Sequence, residues 1–158
     1  MGRGSSIPEE KKSEFQKRRE ALGLSREKAA MLMPGINDDR LERIEKGKAS
    51  ATPEDVLTLS QAYKDPELCN YYCSNCCAIG RKYVPTVEVG ELSRIVLEME
   101  ASLNSFLGKR SALVEIASDG SVSPTEMSDF KTIQADLERL SMAIEALQLW
   151  TEKLEAER

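Results

Sequence analysis

Apolar residues recur along two stretches of the chain in alternating steps of four and three. The first runs Leu92, Val96, Met99, Leu103, Phe106, Leu113 and Ala117, with Arg110 as its single polar interruption. The second runs Phe130, Ile133, Leu137, Leu140, Ile144, Leu147 and Leu154, interrupted by Thr151. Such steps return side chains to one helical face, so each stretch predicts a long helix that buries a narrow stripe against a partner. Between them lies SDGSVSPTE, in which Asp119-Gly120 predicts a turn and Ser123-Pro124-Thr125-Glu126 a capping box with proline at the first helical position. Two stripes and one short connection predict a long antiparallel helical hairpin, a coiled coil, over residues 86–158. Core helices of a compact bundle are the other reading of the same pattern.

The first third is punctuated differently. Ser25 precedes REKAAML, Asn37 precedes DDRLERIE, and Thr52 precedes PEDVLTLSQAY with Pro53 at the first helical position. Each is a short polar cap that accepts a hydrogen bond from an otherwise unpaired helical N–H. Residues 8–22 predict an earlier helix closed by Gly23, and residues 1–7 a flexible lead-in. The expectation is an all-α chain with several short helices first and two long ones last.

Charge sharpens that division. The 158 residues carry a net charge of −5, with 41% hydrophobic, 31% charged and only 5% aromatic residues. Residues 1–82 hold 15 bases against 13 acids, and residues 83–158 hold 7 against 14. Only the first half is therefore a candidate for contact with nucleic acid. No apolar run approaches a membrane span and no signal segment opens the chain, so a cytoplasmic location is expected, with no membrane partner. An enzyme is not expected: there is no histidine, no phosphate-binding glycine loop and no pair of carboxylates in an expected pocket.

In that compartment cysteines are normally reduced, which bears on CNYYCSNCC. It sets Cys69, Cys73, Cys76 and Cys77 within nine positions of a junction at residues 67–85. The spacing of the first three coincides with the cluster motif of radical-SAM enzymes, but the chain is too short for their barrel. Three readings stay open: a thiolate site for zinc or an iron-sulfur cluster, a redox-responsive thiol set, and cysteines that merely pack. On a continuous helix Cys69, Cys73 and Cys77 share one face. Arg81 and Lys82 nearby are expected to lower the thiol pKa values.

From Phe15 to Tyr63 the residues carry a resemblance. Gly23-Leu24-Ser25, Arg19 four residues earlier, Ala30, the apolar Ile36, Leu41 and Ile44, and Glu45 with Gly47 and Lys48 are similar to the lambda repressor and Cro family of helix-turn-helix regulators, also called the XRE family. The resemblance implies a five-helix domain over residues 8–66 that binds double-stranded DNA, and Ala30 as the small residue where helices two and three approach. It also implies a structural ion pair between Arg19 and Glu45. Base-reading positions then fall on Asp38, Asp39 and Arg43. Arg43 suits guanine, and an aspartate accepts from the amine of cytosine. Phosphate contacts fall on Ser25, Arg26, Lys28, Arg40, Lys46 and Lys48, with Lys11, Lys12, Lys17 and Arg18 flanking. Arg26 stands where the family has glutamine, and Pro34 lengthens the turn by one residue. Asp38 and Asp39 also have a purely structural reading, because acids at a helix N-terminus complement its dipole.

A handful of phosphate contacts per copy is weak at physiological salt. The expected form is thus a homodimer paired through the acidic hairpin, regulating transcription in response to redox state or metal. The alternative is a protein-interaction adaptor on the same scaffold, with DNA binding lost and a protein partner on the hairpin.

Overall fold

The computed structural model describes residues 11–158, which are helical throughout their regular structure, with no strand among them. The expected lead-in at 1–7 and the start of the first helix at residue 8 lie outside the described residues. The chain divides into two compact units, one of residues up to Thr86 together with Ala156–Arg158 and one spanning Val87–Glu155.

In the first unit, α1 (Glu14–Ala21), α2 (Arg26–Ala30), α3 (Asp38–Glu45) and α4 (Pro53–Tyr63) each begin at a polar cap. Ser13 accepts from the Gln16 amide, Ser25 from Lys28, Asn37 from Arg40 and Thr52 from Asp55. Asp55 answers by accepting from the Thr52 amide at 2.8 Å, which completes a reciprocal box. Gly23 and Gly47 follow α1 and α3 with φ of +67° and +66°, a left-handed conformation that glycine adopts without a Cβ clash.

One apolar cluster holds these helices together. It contains Phe15, Ala29, Met33, Ile36, Leu41, Ile44, Val56, Leu59, Tyr63 and Leu68. Withdrawing each large side chain from water contributes roughly 1.5 to 3 kcal/mol. Of the two alanines that close α2, Ala29 is fully buried and Ala30 half-buried.

The cysteine segment belongs to this unit instead of forming a separate junction. Helix α5 (Glu67–Tyr71) widens into a π-helical turn, Tyr72–Cys76, and a short α6 (Gly80–Tyr83) follows. Leu68 enters the core, and the Tyr71 ring meets Phe15 edge to face with centroids 6.0 Å apart.

The second unit holds α7 (Leu92–Ile116), a 3-10 turn at Ala117–Asp119 and α8 (Met127–Glu157). Gly120 is left-handed at φ +74°, and Asp119 accepts from the Ser121 amide. Before α8 the Glu126 carboxylate accepts from the Ser123 amide at 2.9 Å, one half of the capping box that the sequence predicts, and the regular helix begins at Met127. Contacts between the long helices run in opposite order. Ile95 packs with Ala146 and Leu149, whereas Ser105 and Lys109 bond to Asp136.

The buried stripe only partly follows the apolar pattern: Ile133 of the expected seams is fully buried, and Met99, Leu103, Phe106, Leu113, Phe130, Leu140 and Leu147 are half-buried. In α7 it passes through Ile95, Ser102 and Ile116, and in α8 through Ile133, Asp136, Ala143, Ala146 and Leu149. Leu92, Val96, Leu137, Ile144 and Leu154, all placed on the expected seams, are exposed. The physical reason is that Asp136 is satisfied inside. Its carboxylate accepts from Lys109 Nζ at 2.6 Å, from Ser105 Oγ at 2.9 Å and from Arg139. Polar residues thereby occupy the packed face and leave apolar ones outside.

Candidate nucleic-acid interface

Helix α3 turns Leu41, Ile44 and Glu45 inward and Asp38, Asp39 and Arg43 outward. Its acids have separate structural explanations. Glu45 is buried, accepting from Arg19 Nε at 2.6 Å and Arg19 Nη2 at 3.0 Å, and from Arg26 Nε at 2.7 Å. The bond to Glu45 holds the Arg19 guanidinium above its ordinary pKa despite burial. Glu42 bonds to Lys46 one turn on, which lowers its carboxyl pKa. Asp38 and Asp39 occupy the first turn, where carboxylates complement the helix dipole.

The phosphate candidates separate into two groups. Arg26 is tied to Glu45, Lys46 to Glu42, and Arg40 to Asp55 at 2.5 Å and to the Ser50 carbonyl at 3.2 Å. Burial works against the Asp55 charge, but bonds from Arg40 and Thr52 outweigh it and hold that carboxyl low. Ser25 is exposed and uses its side chain as the α2 cap. Lys28, Arg43 and Lys48 are exposed, and among the described residues none of them has an ion-pair partner.

Three of the four flanking cations bond to acids of the domain itself. Arg18 bonds to Glu14 and to Asp65 at 2.9 Å; Lys12 bonds to Glu20 at 2.6 Å; Lys17 reaches Glu14 at 3.4 Å. Lys11 is exposed.

An open groove of about 580 Å³ lies beside the start of α3, lined by Glu27, Ala30, Met31, Gly35, Ile36, Asn37 and Asp38. Met31 is 84% exposed there. Glu27 and Met31 escaped the sequence reading; the one available signal was an apolar pair, Met31-Leu32, placed just before Pro34.

The four cysteines are free thiols, with Cys76 exposed and the others half-buried. Among the described residues no group of three cysteine, aspartate or glutamate side chains is placed to hold a metal ion. The π-helical turn breaks the continuous α-helix that would align Cys69, Cys73 and Cys77. Cys69 packs against the apolar cluster, and Cys77 Sγ accepts from the Gly80 amide at 3.4 Å. Burial raises the Cys76 thiol pKa and outweighs the lowering effect of Arg81, reversing the expected direction.

Comparison with models of known protein families, with curated proteins and with solved structures finds no match to this chain.

Proposed function

We propose that this chain is a DNA-binding transcriptional regulator that acts as a dimer, using a repressor-like helix-turn-helix domain through residue 66 and an antiparallel helical hairpin from residue 86. The supporting observation is the division of charge on α3 and its neighbours. The acids Glu42 and Glu45 are held by cations of the domain, while Lys28, Arg43 and Lys48 stand exposed without ion-pair partners among the described residues. On this reading Arg43, with Asp38 and Asp39, meets base edges, and the two lysines with Ser25 meet phosphates.

Arg26, Arg40 and Lys46 join by exchanging one carboxylate for phosphate. The exchange is cheap for Lys46, because an exposed pair contributes only ~0 to 1 kcal/mol. For Arg26 it leaves Glu45 still paired with Arg19. Three exposed cations per copy give a log-log salt slope of about −3, and a pair of copies about −5, so dimerisation decides whether binding survives physiological salt.

Fluorescence anisotropy against random duplex at about 20 mM salt tests this. Arg43→Ala with Lys48→Ala should weaken binding and flatten the salt slope. No binding by the unaltered chain at that salt would overturn the proposal and favour the second reading. That reading is an adaptor whose groove, with exposed Met31 between Glu27 and Asp38, takes an apolar, basic segment of a protein partner.

For the cysteines the geometry favours packing with thiols kept reduced, in a cytoplasmic setting. Metal analysis and a visible spectrum of anaerobically purified protein test it; stoichiometric zinc, or iron-sulfur absorption, would overturn it.

A further inference from the structure

We infer that α7 pairs antiparallel with α7 of a second copy, through the face that α8 leaves exposed and about a two-fold axis at Ser105. Val96, Glu100, Leu103, Leu107, Arg110 and Val114 follow steps of four, three, four, three and four, a heptad seam on α7 that shares Val96, Leu103 and Arg110 with the first and adds a neighbouring column. Val96 is 43%, Leu107 58% and Val114 64% exposed, so this seam is not consumed within the chain.

The order along the seam is its own mirror image in chemistry. Reversed about residue 105, Val96 falls opposite Val114 of the second copy, Leu103 opposite Leu107, and Glu100 opposite Arg110. An isologous interface requires that symmetry, since each contact must recur with the roles exchanged. A different partner gives no reason for it. Glu100 and Arg110 are exposed, and among the described residues neither has a side-chain partner. Across the two-fold each meets its opposite, twice per dimer.

Helix α8 agrees. Its side chains at steps of three and four from Met127 to Thr151 include no charged residue, although seven acids and three bases lie elsewhere on the helix. Leu137 and Ile144 in that series are exposed. The series is centred on Arg139, close to the level of Asp136, which Ser105 contacts at 2.9 Å. One two-fold axis therefore serves both helices and closes two hairpins into a four-helix bundle. Its core uses the wider three-column apolar stripe typical of bundles.

This inference specifies the dimer of the proposed function and is independent of DNA binding, so its test contains no DNA. Sedimentation velocity of the full chain across micromolar concentrations should show a dimer. Glu100→Arg and Arg110→Glu each place like charges across the axis and should weaken dimerisation at least about tenfold. The double variant restores both pairs and should recover it. Mixing the two single variants should produce a heterodimer by native mass spectrometry while each alone dissociates. Leu107→Ser, at an exposed position, should also weaken the dimer, with far-ultraviolet circular dichroism confirming retained helix. A monomeric unaltered chain would overturn the inference. So would single variants as tightly dimeric as the unaltered chain, or a folded double variant that fails to recover.

Discussion

Arg19 of α1 grips Glu45 of α3 through two hydrogen bonds, at 2.6 and 3.0 Å, with both side chains almost wholly out of solvent. Such a pair fixes the orientation of α3 against α1, and the loss of one member leaves the other charge buried. Arg19→Ala is expected to destabilise the first unit by about 3 kcal/mol. Arg26→Ala removes only the partly exposed third member and should cost about 1 kcal/mol or less. Urea denaturation of the three proteins checks the order; equal losses would show that Arg26 holds the charge of Glu45 as firmly as Arg19 does.

Tyr63 lies close to this pair and behaves oppositely. Its side chain is buried, its hydroxyl pKa is raised by burial and by Glu45, and among the described residues the hydroxyl has no hydrogen-bond partner. Removing an unsatisfied buried hydroxyl removes its desolvation penalty. Tyr63→Phe should therefore be neutral or stabilising, by up to about 1 kcal/mol, in thermal unfolding. A loss above that size would reveal a partner for the hydroxyl.

What the sequence discloses depends on whether the deciding interaction is local. The caps at Ser25, Asn37 and Thr52 were legible because each concerns a residue and the amide three positions on. The Arg19–Glu45 pair was legible only through a family resemblance, since 26 positions separate the two residues. Neither the Arg26–Glu45 nor the Arg40–Asp55 pair has a local signature, so both arginines read as surface cations. The seam of the long helices was legible only in part for the same reason: Ile133 is buried as the pattern suggests, while Leu137 and Ile144 are exposed. An aspartate reads as outward-facing until Lys109 and Ser105, from another helix, are known to meet it.

Gly80 governs the cysteine segment. A Cβ built there would sit 1.9 Å from the Cys73 carbonyl oxygen, so the close approach of α6 to the π-helical turn leaves no room for a side chain at residue 80. The atom in the way is backbone, and relief requires separating the two elements. Gly80→Ala should cost about 2 to 3 kcal/mol and loosen residues 72–83. In the unaltered protein the raised Cys76 pKa keeps that thiol protonated and slow to alkylate near neutrality. Iodoacetamide labelling followed by peptide mapping should show Cys76, exposed but partly desolvated by its neighbours, reacting faster in Gly80→Ala, where that packing loosens. Unchanged labelling and stability would mean that the contact opens freely.

Asp136 makes the second unit acid-sensitive. The bond from Lys109 leads, and with those from Ser105 and Arg139 it overcomes the cost of burial and brings the carboxyl pKa from an ordinary 3.8 to about 2. A carboxyl held lower in the folded state than in the unfolded one contributes stability that is complete above the unfolded value. That contribution is lost as pH falls through the folded value. The Asp136 share is therefore present at pH 7 and fades between about 4 and about 2. Asp136→Asn should destabilise the helix pair at pH 7, and the gap from the unaltered chain should close across that acid window. Helical circular dichroism followed against urea at several pH values measures it. A gap that stayed constant down to pH about 2 would show that the side chain acts by shape and hydrogen bonding, with its charge immaterial.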